Sequence, residues 1–72
     1  MLAQLGERVK QLRQEQQLTL TELARRTGLS VGLLSQLERG VGNPSFTTIA
    51  KLAGGLGIPL GYFLISRRRR TI

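Results

Sequence analysis

A chain of 72 residues suffices for one domain, and a domain this small buries only about 60% of its unfolded surface, so its core must lean on good helix ends. It has no Cys, His or Asp, and its four acids (Glu7, Glu15, Glu22, Glu38) are scattered, which excludes disulfide or thiolate–metal stapling and leaves no general acid–base pair, nucleophile–base dyad or metal cage. Eleven Lys and Arg against those acids give a net charge of +7, so the expected partner is an anion, and neither catalysis nor a metal nor a cofactor is expected.

Leu2, Leu5, Val9 and Leu12 recur at the period of one helix face and predict helix 1 over about residues 3–16. Thr19-Leu20-Thr21-Glu22 reads as a capping box, and Leu18 and Leu23 bracket it as a hydrophobic staple. Helix 2 is therefore expected over 20–27, ending at Gly28, which tolerates the left-handed conformation. Ser30 is a cap for helix 3, with Leu29 and Leu34 as a second staple, and that helix ends near Gly40. Gly42-Asn43-Pro44 is a loop. Ser45 caps a fourth helix expected to turn Phe46, Ile49, Ala53 and Leu56 inward. Gly54 and Gly55 in its last turns imply either early fraying or the close approach of another backbone. Pro59 suits the first turn of a short helix 5 running through Leu64.

No β alternation is present, so the fold class is all-α, five short helices followed by arginines. The domain is expected over 1–66 and a basic tail over 67–72. The longest apolar run, Ile58–Ile65, falls far short of the roughly 20 residues of a membrane span, and no signal peptide is visible at the N-terminus.

Residues 20–39 carry the most information: a short helix, a glycine turn and a second helix. Leu34 and Leu37 sit at core spacing, while the opposite side shows Val31, Gly32, Ser35, Gln36 and Arg39. Such a side packs badly and is suited to a surface that already offers hydrogen bonds. A plain αα-hairpin in a small bundle is the competing reading.

Further matches carry a family resemblance: Leu5-Gly6 with Arg8, Leu12-Arg13, Leu23-Ala24, Thr27-Gly28-Leu29-Ser30, Leu34 to Gly40, Asn43-Pro44-Ser45, and Leu56-Gly57-Ile58-Pro59. In this order and spacing they resemble the XRE family of helix-turn-helix regulators, the phage Cro and repressor type. The LSQLERG and NPS segments are most similar to members that carry a C-terminal cupin sensor. The resemblance implies a compact five-helix, lambda-repressor-like DNA-binding domain, with helices 2 and 3 as the helix-turn-helix. It turns residues 30, 31, 32, 35, 36 and 39 toward the major groove.

On that reading Gln36 is the strongest base reader, because an amide donates and accepts at once and matches adenine. Ser35 reaches either a base or a phosphate, Val31 offers methyls to a thymine methyl, and Gly32 removes bulk. Relatives often carry longer polar residues at 31 and 32, so fewer direct base bonds and more reliance on water or DNA shape are implied. Phosphates are expected at Thr19 with the start of helix 2, and at Arg39, Asn43 and Ser45 with the start of helix 4. Leu20 stands where many relatives carry glutamine. Arg8, Lys10, Arg25 and Arg26 add field or are ordinary solvated charge. Arg13 and Glu38 occupy positions that pair across helices 1 and 3 in relatives, which implies a largely buried structural ion pair; two separate surface charges are the alternative.

Leu60, Tyr62, Phe63, Leu64 and Ile65 crowd more apolar surface than one short helix hides. A homodimer through the helix 5 region, reading a palindromic double-stranded operator, is one expectation; packing on helix 1 is the other. Arg67–Arg70 is a backbone-hugging arm, a linker or a lipid-facing patch. The leading function is a sequence-specific, cytoplasmic transcriptional regulator acting as a repressor. The alternative is an antitoxin that binds a protein partner and autoregulates its operator. Membrane binding ranks below both.

Overall fold

The structure, a computed structural model, describes residues 2–64. The roles expected of Ile65 and of the arginines at 67–70 lie outside the described residues, as do the Leu2 and Leu64 side chains. Five α-helices follow one another: α1 (Leu2–Glu15), α2 (Leu20–Thr27), α3 (Val31–Glu38), α4 (Phe46–Leu56) and α5 (Gly61–Leu64). The first four begin and end within a residue or so of the expected limits. Helix α5 starts later than expected, because the chain first makes two tight turns, Tyr62 N–H to the Pro59 carbonyl and Phe63 N–H to the Leu60 carbonyl.

Hydroxyl caps begin three helices. The Thr19 hydroxyl accepts from Glu22 N at 3.0 Å while the Glu22 carboxylate accepts from Thr19 N at 2.7 Å, the reciprocal pair that satisfies two exposed N–H groups at once. The Thr19 backbone N–H donated to the carboxylate, then the Thr19 hydroxyl beside it, with help from Arg25 and Arg26, hold the Glu22 carboxyl below its ordinary pKa. Ser30 and Ser45 do the same work for α3 and α4 by accepting from Leu33 N and Thr48 N.

Three helix ends share one geometry, a residue with positive φ whose N–H reaches back three residues while the next N–H reaches back five. After α3 and α4 that residue is Gly40 and Gly57; after α1 it is Gln17, at φ 59. A side chain in this conformation costs about 1–2 kcal/mol relative to the right-handed region.

The core is a cluster of Leu5, Val9, Leu18, Leu23, Leu34, Leu37, Leu52 and Leu56, with Leu12, Leu20, Ala24, Leu29, Leu33, Ile49, Ile58 and Phe63 packed around it. Helix α1 lies against α3 and α4, and α2 lies against α3 and α4. Both staples have buried ends, since Leu18, Leu23 and Leu34 are all in the core. Leu20, the departure from the family's glutamine, joins the apolar surround.

Phe46 overturns its expectation. It is 63% exposed, while Leu52, absent from the expected inward set, is fully buried. The buried residues of α4 are Leu52, Ala53 and Leu56, and although Phe46 lies only about 20° from Ala53 around the axis it stands two turns earlier, at the start of the helix, where it is left largely uncovered.

Gly55 answers the choice between fraying and close approach: α4 runs on to Leu56, and a Cβ at Gly55 would stand 2.5 Å from the Thr27 methyl. Thr27 is the buried polar residue of this junction. Its hydroxyl donates to the Leu23 carbonyl at 2.8 Å and accepts from Leu29 N at 3.2 Å, so the turn between α2 and α3 is hydrogen-bonded from inside. No helix among the described residues is long and apolar enough to cross a membrane.

Candidate nucleic-acid interface

Helix α3 divides cleanly. Leu34 and Leu37 are buried and Leu33 half-buried, whereas Val31, Gly32, Gln36 and Arg39 are exposed and Ser35 is half-buried at the edge. At 100° per residue, positions 31, 32, 35, 36 and 39 fall within an arc of about 140°. They form one continuous outer face. The Gln36 side chain makes no hydrogen bond within the described residues that would divert its amide. Arg39 folds back along its own helix, Nε donating to the Ser35 carbonyl at a long 3.4 Å.

Thr19, Ser30 and Ser45 are exposed at the starts of α2, α3 and α4, and Asn43 is exposed in the loop between α3 and α4. They therefore flank the α3 face rather than lie on it, except for Ser30 at its leading end. Each cap hydroxyl accepts from its own helix, which leaves the Ser30 proton for another acceptor, while Ser45 shares a hydrogen bond of 3.0 Å with the Thr48 hydroxyl in which either can donate. An aligned helix start with unsatisfied amides and a small positive partial charge favours an anion.

What holds α3 in place is an ion pair. Arg13 on α1 meets Glu38 at the end of α3 through two parallel bonds, Nε to Oε2 at 2.7 Å and Nη2 to Oε1 at 3.0 Å, with side-chain exposures of 13% and 6%. The third guanidinium nitrogen donates to the Leu18 carbonyl at 2.8 Å, just before α2. Hydrogen bonding to Glu38 holds the Arg13 pKa above its ordinary value despite desolvation. Two-pronged contact fixes orientation as well as distance. Beside it, α1 and α3 touch backbone to backbone: a Cβ at Gly6 would fall on the Leu37 carbonyl.

Several supports have a structural part that the sequence-based reading does not give them. Gly6 could have been noticed as a glycine inside a helix, where alanine is preferred by about 1 kcal/mol. Gln16 donates to the Leu56 carbonyl at 2.8 Å and closes the end of α4 from 40 residues away, for which no local signal exists. Arg8 is not part of a free basic field. Its guanidinium lies 5.3 Å from the Tyr62 ring centre and donates to the Tyr62 carbonyl at 3.1 Å, tying α5 to α1. Lys10, Arg25 and Arg26 are exposed.

A sequence model described as helix-turn-helix matches residues 9–63. The chain belongs to the XRE-type helix-turn-helix family. It is 40% identical over 60 residues, 83% of its length, to the HTH-type transcriptional regulator SutR of Escherichia coli, covering 34% of that protein. Its identity to the immunity repressor protein of Bacillus phage phi105 is 43% over 54 residues, 75% of this chain and 38% of that one. It thus spans little more than a third of these two curated relatives. The solved N-terminal DNA-binding domain of SinR from Bacillus subtilis superposes with a TM-score of 0.80 at 32% identity, over 90% of this chain and 96% of that domain. The fold is that of helix-turn-helix repressor domains, and α2 and α3 are the helix-turn-helix.

Proposed function

We propose that this domain binds double-stranded DNA sequence-specifically and represses transcription by occluding an operator in the cytoplasm. The observation that carries the reading is the outer face of α3: five residues of low packing value, with Gln36 free, on a helix whose back is buried and whose end is clamped. Helix α3 enters the major groove with Val31, Gly32, Ser35 and Gln36 toward the bases. The Gln36 amide donates to and accepts from adenine, a pairing worth about 1–3 kcal/mol of discrimination against the wrong base.

Positioning falls to the flanks. The Thr19, Ser30 and Ser45 hydroxyls, Asn43 and the amides opening α2 and α4 meet phosphate oxygens, and Arg39 swings off the Ser35 carbonyl onto the backbone. A second copy docks through the α5 region, where Tyr62 stays 44% exposed even under Arg8, and the pair reads a palindrome with half-sites about 34 Å apart. Residues 1–66 act as the binding domain.

Selection of duplex from a random pool, followed by titration of the wild type and of Q36A/R39E, tests this. A single enriched palindromic motif is expected, with both affinity and site preference lost in the double variant. No enrichment, or equal binding by the folded double variant, overturns it.

A further inference from the structure

The glycines of this chain divide by cause. Gly6 and Gly55 leave room for a neighbouring helix, and Gly28, Gly40, Gly42 and Gly57 have positive φ. Gly32, Gly54 and Gly61 belong to neither group, and of these three only Gly32 lies on the outer face of α3. It is helical and exposed, and a Cβ built there meets nothing within 4 Å. Glycine inside a helix is less stable than alanine, so the fold itself gains nothing from it. Its neighbour Val31 is 41% exposed at the first position of the same helix. The first turn of the reading face is thus two valine methyls beside a bare Cα, with no polar side-chain atom at either position. The Ser30 hydroxyl, next to them, is occupied as an acceptor by Leu33 N.

In the major groove every base edge presents donors or acceptors, and the one apolar group is the C5-methyl of thymine. The same methyl stands at the same ring position in 5-methylcytosine. A β-branched side chain in a helix keeps one dominant rotamer, so the Val31 methyls are held still before contact. We propose that the first turn of α3 reads a pyrimidine 5-methyl group, with Val31 as the contact and Gly32 as the space the methyl enters. This rests on the DNA-reading role proposed above. It divides the face in two: an apolar leading end for the methyl, and a hydrogen-bonding trailing end at Gln36.

The test uses the motif enriched by selection, with each thymine replaced singly by deoxyuridine, which deletes only the methyl. At one or two positions in each half-site the replacement lowers wild-type affinity about fourfold, the effect of removing one buried methyl. V31A abolishes that difference at those positions. G32A melts higher than the wild type yet binds the thymine duplex more weakly, and the loss is smaller on the uridine duplex. Cytosine placed at the same position binds better once methylated at C5. Equal wild-type affinity for thymine and uridine at every position overturns the inference, as does an undiminished difference in V31A. If those results come with intact binding that Q36A/R39E destroys, only the methyl reading fails; if no duplex is enriched at all, both readings fail.

Discussion

Replacing Glu38 with Gln keeps the side chain's size and removes its charge. The guanidinium of Arg13 stays cationic, mostly shielded from water, and faces an amide that accepts at one atom and presents N–H donors at the other. One of the two parallel bonds becomes a donor–donor contact. Breaking one side of a buried pair costs about 3–5 kcal/mol, and the 13% and 6% exposures, with the surviving bond, favour the lower end, about 3 kcal/mol. Folded domains of some 60 residues have about 3–9 kcal/mol in all, so the loss removes a large share of it. At about 4–8 °C per kcal/mol, the melting temperature falls by roughly 12–24 °C. Thermal melts followed by helical circular dichroism read this directly, and urea titration separates a lower midpoint from a changed slope. Replacing both partners by apolar residues, as in R13M/E38L, should recover much of the loss, because no charge is then left without its partner. A drop below about 4 °C in E38Q refutes the reasoning and makes the pair an ordinary surface contact worth under about 1 kcal/mol.

Four other outcomes follow from the geometry. Q17G relieves a left-handed glutamine and, after the entropy glycine adds to the unfolded chain, stabilises by about 0.5–1 kcal/mol; an unchanged or lower melting temperature counts against it. G6A pushes a methyl into the Leu37 carbonyl and destabilises by at least about 1–3 kcal/mol in denaturant titration, whereas a neutral result would mean α1 and α3 can separate freely. F46A, at a site 63% exposed, stays within about 0.5 kcal/mol of wild type; a core phenylalanine would lose about 3–5 kcal/mol in the same melt. The Glu22 carboxyl titrates below its unfolded value near 4.5, so its stabilisation is present above that pH and is lost as pH falls through the lower folded value. Melting temperature against pH should therefore be flatter in E22Q than in wild type on the acid side, and parallel curves would reject the capping contribution.

Local chemistry was legible where one residue type has one strong use. Thr19, Ser30 and Ser45 announce helix starts because a hydroxyl at that place satisfies a free amide, and the structure has a cap at each. The core leucines of α1 to α3 follow from period alone. Phe46 misled because a cap fixes where a helix starts but not whether a neighbour covers its first turn, and Leu52 went unnoticed beside it. Gln17, Gln16 and the Arg8–Tyr62 contact were illegible for other reasons. Gln16 and Arg8 act on distant chain, which neither residue type marks, and Gln17 takes the left-handed helix end without the glycine that would announce it. The outer face of α3 was visible as a poor packing surface, and Gly32, which shares with Gly54 and Gly61 the lack of any internal reason, is set apart from them by lying on that face.

One planar cation joins the N-terminal helix, the entry to α2 and the far end of α3. On the function proposed above, the pitch at which α3 meets a duplex is therefore set partly by a side chain of another helix. Under that proposal, operator preference can be retuned at Arg13 or Leu18 without touching a base-facing side chain, and a genetic screen for shifted preference is expected to return suppressors there.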